Sequence, residues 1–322
     1  MSFSTRVKED LTRIMSSKAC CRRAEFIAFF LIKGNIRIGE GHRLSLFMQT
    51  EHSASIRKMF SLASDFSLKR EITVYRRTRL HKNQVFTLTV PPQKQLREFL
   101  RELSMVDENG FWQLGFPEHL REDILAFPCC RRAYLRGAFL ASGSLGEPEH
   151  AYHLEFGSLE KTQADLLVEL MAGYGLKGKI VRRKDMEIVY LKGAEDICQL
   201  LNIMGSHRSL LEFESLRVTK EIRNQANRQR NCDTANVNKI VAASMRQVED
   251  IKYIAETIGF SALPNTLRIA AELRLEYPDY SLADLSEVSA LGRSALNHRL
   301  RRLSRIAANI RDFGQEEWDR ED

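Results

Sequence analysis

Residues 20–36 read CCRRAEFIAFFLIKGNI, and residues 129–145 read CCRRAYLRGAFLASGSL. The opening CCRRA is identical, and Phe30 aligns with Phe139, Leu31 with Leu140 and Gly34 with Gly143. An exact five-letter recurrence followed by matched apolar positions marks an internal duplication. Small residues recur at helical spacing in each copy: Ala24 and Ala28 in the first, Ala133, Gly137 and Ala141 in the second. Such a stripe lets two helix backbones approach each other about a pseudo-twofold axis; the alternative is a tolerant core helix. A glycine inside a helix costs about 1 kcal/mol relative to alanine, so Gly137 calls for compensation by packing.

The segments after each copy correspond as well. In the first half, a strand-like run over 42–50 leads to a helical pattern through Ile56, Met59, Phe60 and Ala63. Strands over 71–77 and 84–90 and a helix over 93–103 follow. The second half repeats this αβαββα order. Its elements are alternation over 152–156, a helix through Ala164, Leu167, Val168 and Met171, strands over 179–183 and 187–191, and a helix over 194–203. Gly173 and Gly175 punctuate the turn after its first helix. Basic residues fall at equivalent strands: Lys69, Arg70, Arg76, Arg77, Arg79 and Lys82 in one repeat, Lys177, Lys179, Arg182, Arg183 and Lys184 in the other. They build either a positive surface for phosphates or solvated strand faces that discourage edge pairing.

Composition narrows the class. The 322 residues are 43% hydrophobic and 28% charged with seven prolines, the makeup of a folded protein of two or three domains. The longest apolar run, residues 26–32, is far short of the roughly 18 residues that span a bilayer. The first 15 residues, MSFSTRVKEDLTRIM, lack an apolar signal core, which points to the cytoplasm. Lysine plus arginine number 49 against 42 acids, a net +7 that favours a polyanionic partner. The six cysteines are two vicinal pairs, Cys20–Cys21 and Cys129–Cys130, with Cys198 and Cys232 alone. With no C-x-x-C or Cys/His finger spacing, they read as reduced, buried thiols rather than metal ligands, and no cofactor is implied.

From residue 217 the pattern changes. RVTKEIRNQANRQRNCDTAN, residues 217–236, carries Arg217, Lys220, Arg223, Arg228 and Arg230 with few apolar anchors. It reads as a polar linker, with the alternative of a segment lying along a phosphate backbone. A helix over 237–258 is expected from Ile240, Val241, Ser244, Val248, Ile251, Ala255 and Ile258. Pro264 opens the next helix, and Ser281 with Asp284 resembles a capping box. SLADLSEVSALGRSALNHRLRRLSRIA, beginning at Ser281, has the layout of a helix-turn-helix. Leu282 and Leu285 face inward, Ser286 sits at the crossing, Ala290, Leu291 and Gly292 form the turn, and Leu296, Leu300 and Leu303 form the core stripe. Ser294, Asn297, His298, Arg301, Arg302 and Arg305 point away from that stripe, and no acid occurs from Arg293 to Arg311. Such a face fits the major groove, with Ser294 and Asn297 at base edges and the later arginines on phosphates; the alternative is a solvated surface. His298 carries no catalytic role in this reading.

LRGAFLASG, ending at Gly143, and FIAFFLIKG, ending at Gly34, resemble degenerate LAGLIDADG helices of homing endonucleases. That family grips DNA with a saddle of strands and holds divalent metal through the last acidic residue of each motif. The matching positions here are Lys33 and Ser142. A lysine repels the cation and a serine binds it weakly, so metal-dependent cleavage is disfavoured. Glu147 and Glu40 are the substitutes that would revive it. With LNHRLRRLSRIA preceded by RNQANRQRNCDTAN, nearly the whole chain resembles the WhiA family. The resemblance implies an α+β protein of duplicated LAGLIDADG-like repeats followed by an all-α helix-turn-helix domain. It implies a sequence-specific, double-stranded-DNA-binding regulator of cell division and chromosome segregation, and of sporulation in some bacteria. The expected division is repeats at 1–108 and 109–216, a basic linker at 217–236, the helix-turn-helix domain at 237–312 and an acidic tail at 313–322. Primary DNA contacts are assigned to Ser294, Asn297, His298, Arg301, Arg302 and Arg305. Secondary ones are assigned to Arg76, Arg77, Arg79, Arg182, Arg183, Lys184, Arg223, Arg228 and Arg230. Another regulator, a division protein or RNA polymerase is the protein partner considered, no membrane is, and the location is the cytoplasm at the nucleoid. Two alternatives stay open: a metal-dependent endonuclease with relocated carboxylates, and a protein-interaction scaffold at the division machinery.

Overall fold

Helix α2 (Ala19–Lys33) buries every side chain from Ala24 to Phe30, and α6 (Pro128–Ser142) does so from Ala133 to Ala141. A helix buried on all sides belongs at the centre of a domain, and these two pack directly on each other. A computed structural model of the chain describes residues 1–76, 84–107, 118–289 and 291–313. The chain divides into two units, Met1–Glu221 and Ile222–Asp322. Arg77, Arg79, Lys82, Ala290 and residues 314–322 of the expected tail lie outside the described residues.

In the first unit, the seam between α2 and α6 is the small-residue stripe. A Cβ on Gly137 would fall 2.2 Å from the Glu25 carbonyl oxygen and 3.0 Å from the Ala28 Cβ, so the glycine is what permits the approach. Each repeat then adds a four-stranded antiparallel sheet. The first consists of β1 (Gly34–Gly39), β2 (Arg43–Thr50), β3 (Glu71–Arg76) and β4 (Gln84–Val90) in the order β1-β2-β4-β3. The second consists of β5 (Gly143–Leu145), β6 (Leu154–Leu159), β7 (Lys179–Arg183) and β8 (Met186–Leu191) in the order β5-β6-β8-β7. Helices α3 (Ser53–Leu62) and α4 (Lys94–Glu102) complete one repeat, and α7 (Lys161–Ala172) and α8 (Ala194–Met204) the other, with α5 (Glu118–Leu125) leading into α6. On β2, Leu44, Leu46 and Met48 face the core at period two.

The observed repeat is αββαββα, one strand longer than the order expected. The added strands, β1 and β5, begin at the glycines that end α2 and α6. β5 is only three residues long and β1 carries glycine at both ends, and their extended form comes from pairing, as in Gly34 opposite Met48 and Gly143 opposite Phe156. Gly175, at φ +77°, takes the left-handed conformation after α7, whereas Gly173 stays right-handed. Helix α1 (Phe3–Thr12) was not anticipated. It is capped by Ser2, whose Oγ accepts from Thr5 N, and it buries Phe3, Val7 and Leu11 four residues apart.

The expected linker is helical throughout. Helix α9 runs His207–Thr257, so helix starts thirty residues before Val237. The stretch contains no glycine or proline, and arginine and glutamine are good helix formers, so nothing breaks the helix before Gly259. Residues 221–240 of it are exposed. In the second unit, Ser244, Ile251 and Ile254 are buried, but Ile240 and Val241 are 46% and 47% exposed and lie off the core. Around Ile251 and Ile254 pack Leu267, Ala270 and Ala271 of α10 (Asn265–Glu276), Leu285 of α11 (Leu282–Val288), and Leu296, Leu300, Leu303, Ile306, Ala307 and Ile310 of α12 (Arg293–Phe313). Among the described residues, no helix is long and apolar enough to cross a membrane.

Candidate nucleic-acid interface

The last two helices are fixed by local chemistry. Ser281 Oγ accepts from Asp284 N at 3.2 Å while Asp284 Oδ2 accepts from Ser281 N at 3.0 Å, a reciprocal cap that starts α11. The Ser281 hydroxyl and backbone N–H hold the Asp284 carboxyl below its ordinary pKa. At the other end of α11, Ser286 Oγ donates to Leu291 O at 3.0 Å and Leu291 N donates to Ser289 Oγ at 3.3 Å, which ties down the turn.

A buried arginine secures the approach to this motif. Arg274, 1% exposed, donates through Nη1 to Ser244 Oγ at 3.1 Å, Tyr277 O at 3.3 Å and Tyr280 O at 2.6 Å. Ser244 Oγ in turn donates to Pro278 O. One guanidinium thereby fixes the loop between α10 and α11 against α9, and its burial lowers its pKa from the usual value. The sequence reading placed Ser244 in a helix stripe but gave Arg274 no role, because nothing local marks an arginine as buried.

On α12, Leu296, Leu300 and Leu303 are at most 1% exposed, as their spacing requires. Ser294, His298, Arg301, Arg302 and Arg305 are exposed, and Asn297 is half-buried at the edge of the same surface. Near the end of the helix, Arg311 pairs with Asp250 of α9 at 2.9 Å and also lies over the Tyr253 ring. The face therefore carries donors and positive charge with one hydrogen-bonding amide.

The other basic candidates separate by position. Arg76 on β3 and Arg182 and Arg183 on β7 are exposed on the edge strands of their sheets, and Lys184 follows at φ +57°. Arg223, Arg228 and Arg230 are exposed on α9. Arg217 pairs with Glu214 at 3.0 Å, and Lys220 donates to Pro148 O and His150 O and lies over the Tyr152 ring, so these two serve the fold of the first unit.

Lys33 and Ser142, the positions that align with the acids of the LAGLIDADG motif, close α2 and α6. Lys33 and Ser142 line a cavity of about 580 Å³ together with Lys8, Asn35, Gln49, Thr50, Glu51, His52 and Ser144. Burial, and then the nearby Lys33, push the Lys8 ammonium down to about 8. Two amines thus line this cavity, beside the Glu51 carboxylate. Glu147 accepts from Phe3 N at 2.7 Å and pairs with Arg6, while Glu40 is exposed in a short turn; neither lines the cavity. Lys8 is the residue the sequence reading missed. Its signal was the amphipathic pattern of α1, which brings it to the cavity.

Profiles match the WhiA N-terminal LAGLIDADG-like domain at residues 19–106, the WhiA LAGLIDADG-like domain at 131–223 and the WhiA C-terminal HTH domain at 226–307. A Heliobacterium modesticaldum protein named probable cell division protein WhiA is 44% identical over 310 residues, covering 95% of this chain and 96% of that relative. Proteins of the same name from Desulforamulus reducens and Bacillus cytotoxicus are 44% and 40% identical, covering 97% of this chain and 97% and 98% of their own. The crystal structure of full-length DUF199/WhiA from Thermatoga maritima has the same fold, with a TM-score of 0.57 at 23% identity over 96% of this chain and 99% of that one. By its duplicated repeats, its helix-turn-helix and these full-length relatives, the chain belongs to the WhiA family.

Proposed function

We propose that the chain is a sequence-specific DNA-binding transcriptional regulator that acts in cell division and chromosome segregation without nuclease chemistry. One observation carries the reading: from Arg293 to Arg311 the outward face of α12 has no acid and presents Ser294, Asn297, His298, Arg301, Arg302 and Arg305 while its opposite side is packed. The amide at Asn297 suits bidentate contact with adenine, and the arginines suit guanine or phosphate. The relatives' name supplies the cellular setting, cell division; sporulation control belongs to those bacteria that sporulate. In this reading the protein works at the nucleoid, and the duplicated unit is a platform for further DNA contact through Arg76, Arg77, Arg79, Arg182, Arg183, Lys184, Arg223, Arg228 and Arg230, or for a protein such as another regulator, a division protein or RNA polymerase.

Genome-wide crosslinking of bound DNA tests this directly. The wild-type chain is expected to enrich discrete sites, and a chain carrying Asn297→Ala and Arg301→Ala to lose them. Uniform recovery of DNA by both would refute sequence-specific regulation. Lys8 and Lys33 weigh against cleavage, and supercoiled plasmid incubated with Mg²⁺ is expected to stay intact.

A further inference from the structure

The two vicinal cysteine pairs, far apart in the chain, meet. Each occupies the first turn of its central helix, Cys20 and Cys21 on α2, Cys129 and Cys130 on α6. The close packing of those helices brings all four Sγ atoms within 4.8 Å of one another. We propose that Cys20, Cys21, Cys129 and Cys130 form a tetrathiolate site for one soft divalent ion of the zinc type, which clamps the two repeats at the N-terminal ends of α2 and α6.

Geometry favours a single ion. A tetrahedral zinc with sulfur at about 2.3 Å sets its four sulfurs about 3.8 Å apart, so sub-ångström adjustments close the site. An iron–sulfur cluster needs a wider set of cysteines than this one. Disulfides are the chemical competitor. Cys21 and Cys129, and Cys20 and Cys130, face each other across the two helices, the pairs that oxidation would join. Two disulfides, however, require only two short separations, whereas mutual proximity of all four sulfurs is what one ion requires.

The surroundings fit the product. Cys21 and Cys130 are 4% and 2% exposed against a wall that includes Ala24, Ala133 and Ile124, while Cys20 is exposed, which leaves a path from solvent. Binding breaks four S–H bonds, forms four metal–sulfur bonds and releases four protons to water; no electrons are transferred. The resulting dianion lies at two helix N-termini, whose first-turn N–H groups favour negative charge, with Lys18 and Arg22 in electrostatic range. Finger spacing is absent from the sequence because the ligand set is split between the two halves of the duplication.

The experiment uses the full chain, produced with zinc, purified under reducing conditions without chelator, and analysed for metal by mass spectrometry. About one zinc per chain is expected, and cobalt replacement is expected to give the charge-transfer and strong visible bands of tetrahedral cobalt thiolate. The Cys21→Ser, Cys129→Ser double variant should lose the ion, and the Cys198→Ser, Cys232→Ser double variant should keep it. Cobalt titration of the wild-type chain requires no variant, so misfolding of a mutant leaves the test intact. The proposal is overturned if the wild-type chain takes up no cobalt while all six thiols react, if the bound cobalt lacks thiolate bands, or if the four cysteines are recovered as cross-repeat disulfides.

Discussion

Glu25 of the first repeat meets Arg136 of the second at 2.9 Å, with both side chains almost wholly buried, and Lys58 closes on the other Glu25 oxygen at 2.5 Å. Arg136 also donates to Met204 O and Lys58 to Leu11 O, so the cluster reaches across the first unit. Removing one member leaves uncompensated buried charge. Glu25→Ala is expected to cost about 3 to 5 kcal/mol in urea unfolding, and replacing all three by leucine and methionine to recover most of that loss. An equal loss for the single and triple variants would show that the charges themselves do the holding.

Gly137→Ala discriminates a seam from a solvated helix. In an exposed helix the change would stabilise by about 1 kcal/mol. Against the Glu25 carbonyl, the added carbon is expected to destabilise by roughly 3 kcal/mol, seen as a lower denaturation midpoint.

Arg274→Met removes the donor shared by Ser244, Tyr277 and Tyr280. A loss of about 2 to 4 kcal/mol in the stability of the second unit is expected, with weaker DNA binding following from the loosened loop. Calorimetry checks the first, fluorescence anisotropy the second; unchanged melting would remove Arg274 from the account.

For DNA itself, Asn297→Ala and Arg301→Ala are each expected to cost about 1 to 3 kcal/mol on a specific site and little on random duplex. Arg302→Ala and Arg305→Ala should weaken both duplexes alike, each flattening the log–log salt slope by about 1. Titrations at several salt concentrations separate the two classes.

Lys8 gives a pH signature. Its pKa falls from 10.5 in the unfolded chain to about 8 in the folded one, so between those values the unfolded chain holds more protons. Stability is therefore expected to gain a contribution as pH rises from about 8 toward 10, and Lys8→Met to lose that increment. Urea midpoints of both proteins across this range measure it.

The sequence disclosed the duplication through CCRRA and the exposed side of α12 through the leucine stripe, because both are periodic or repeated signals. It disclosed neither Arg274 nor the Glu25 cluster, since charged residues normally read as surface and their burial depends on partners distant in the chain. For residues 217–236, polarity suggests a linker and says nothing of its form; the lack of glycine and proline is what signals the helix. Strands β1 and β5 escaped because pairing, not composition, makes them extended.

The amines at the junction of the repeats also bear on reversibility. Reintroducing aspartate at Lys33 and Ser142 would not by itself regenerate a cation site, since Lys8 would remain beside the new acids and satisfy them as an internal counter-ion. A cation site at this junction would require at least a third, simultaneous change on α1, so single substitutions at the two helix ends do not build one.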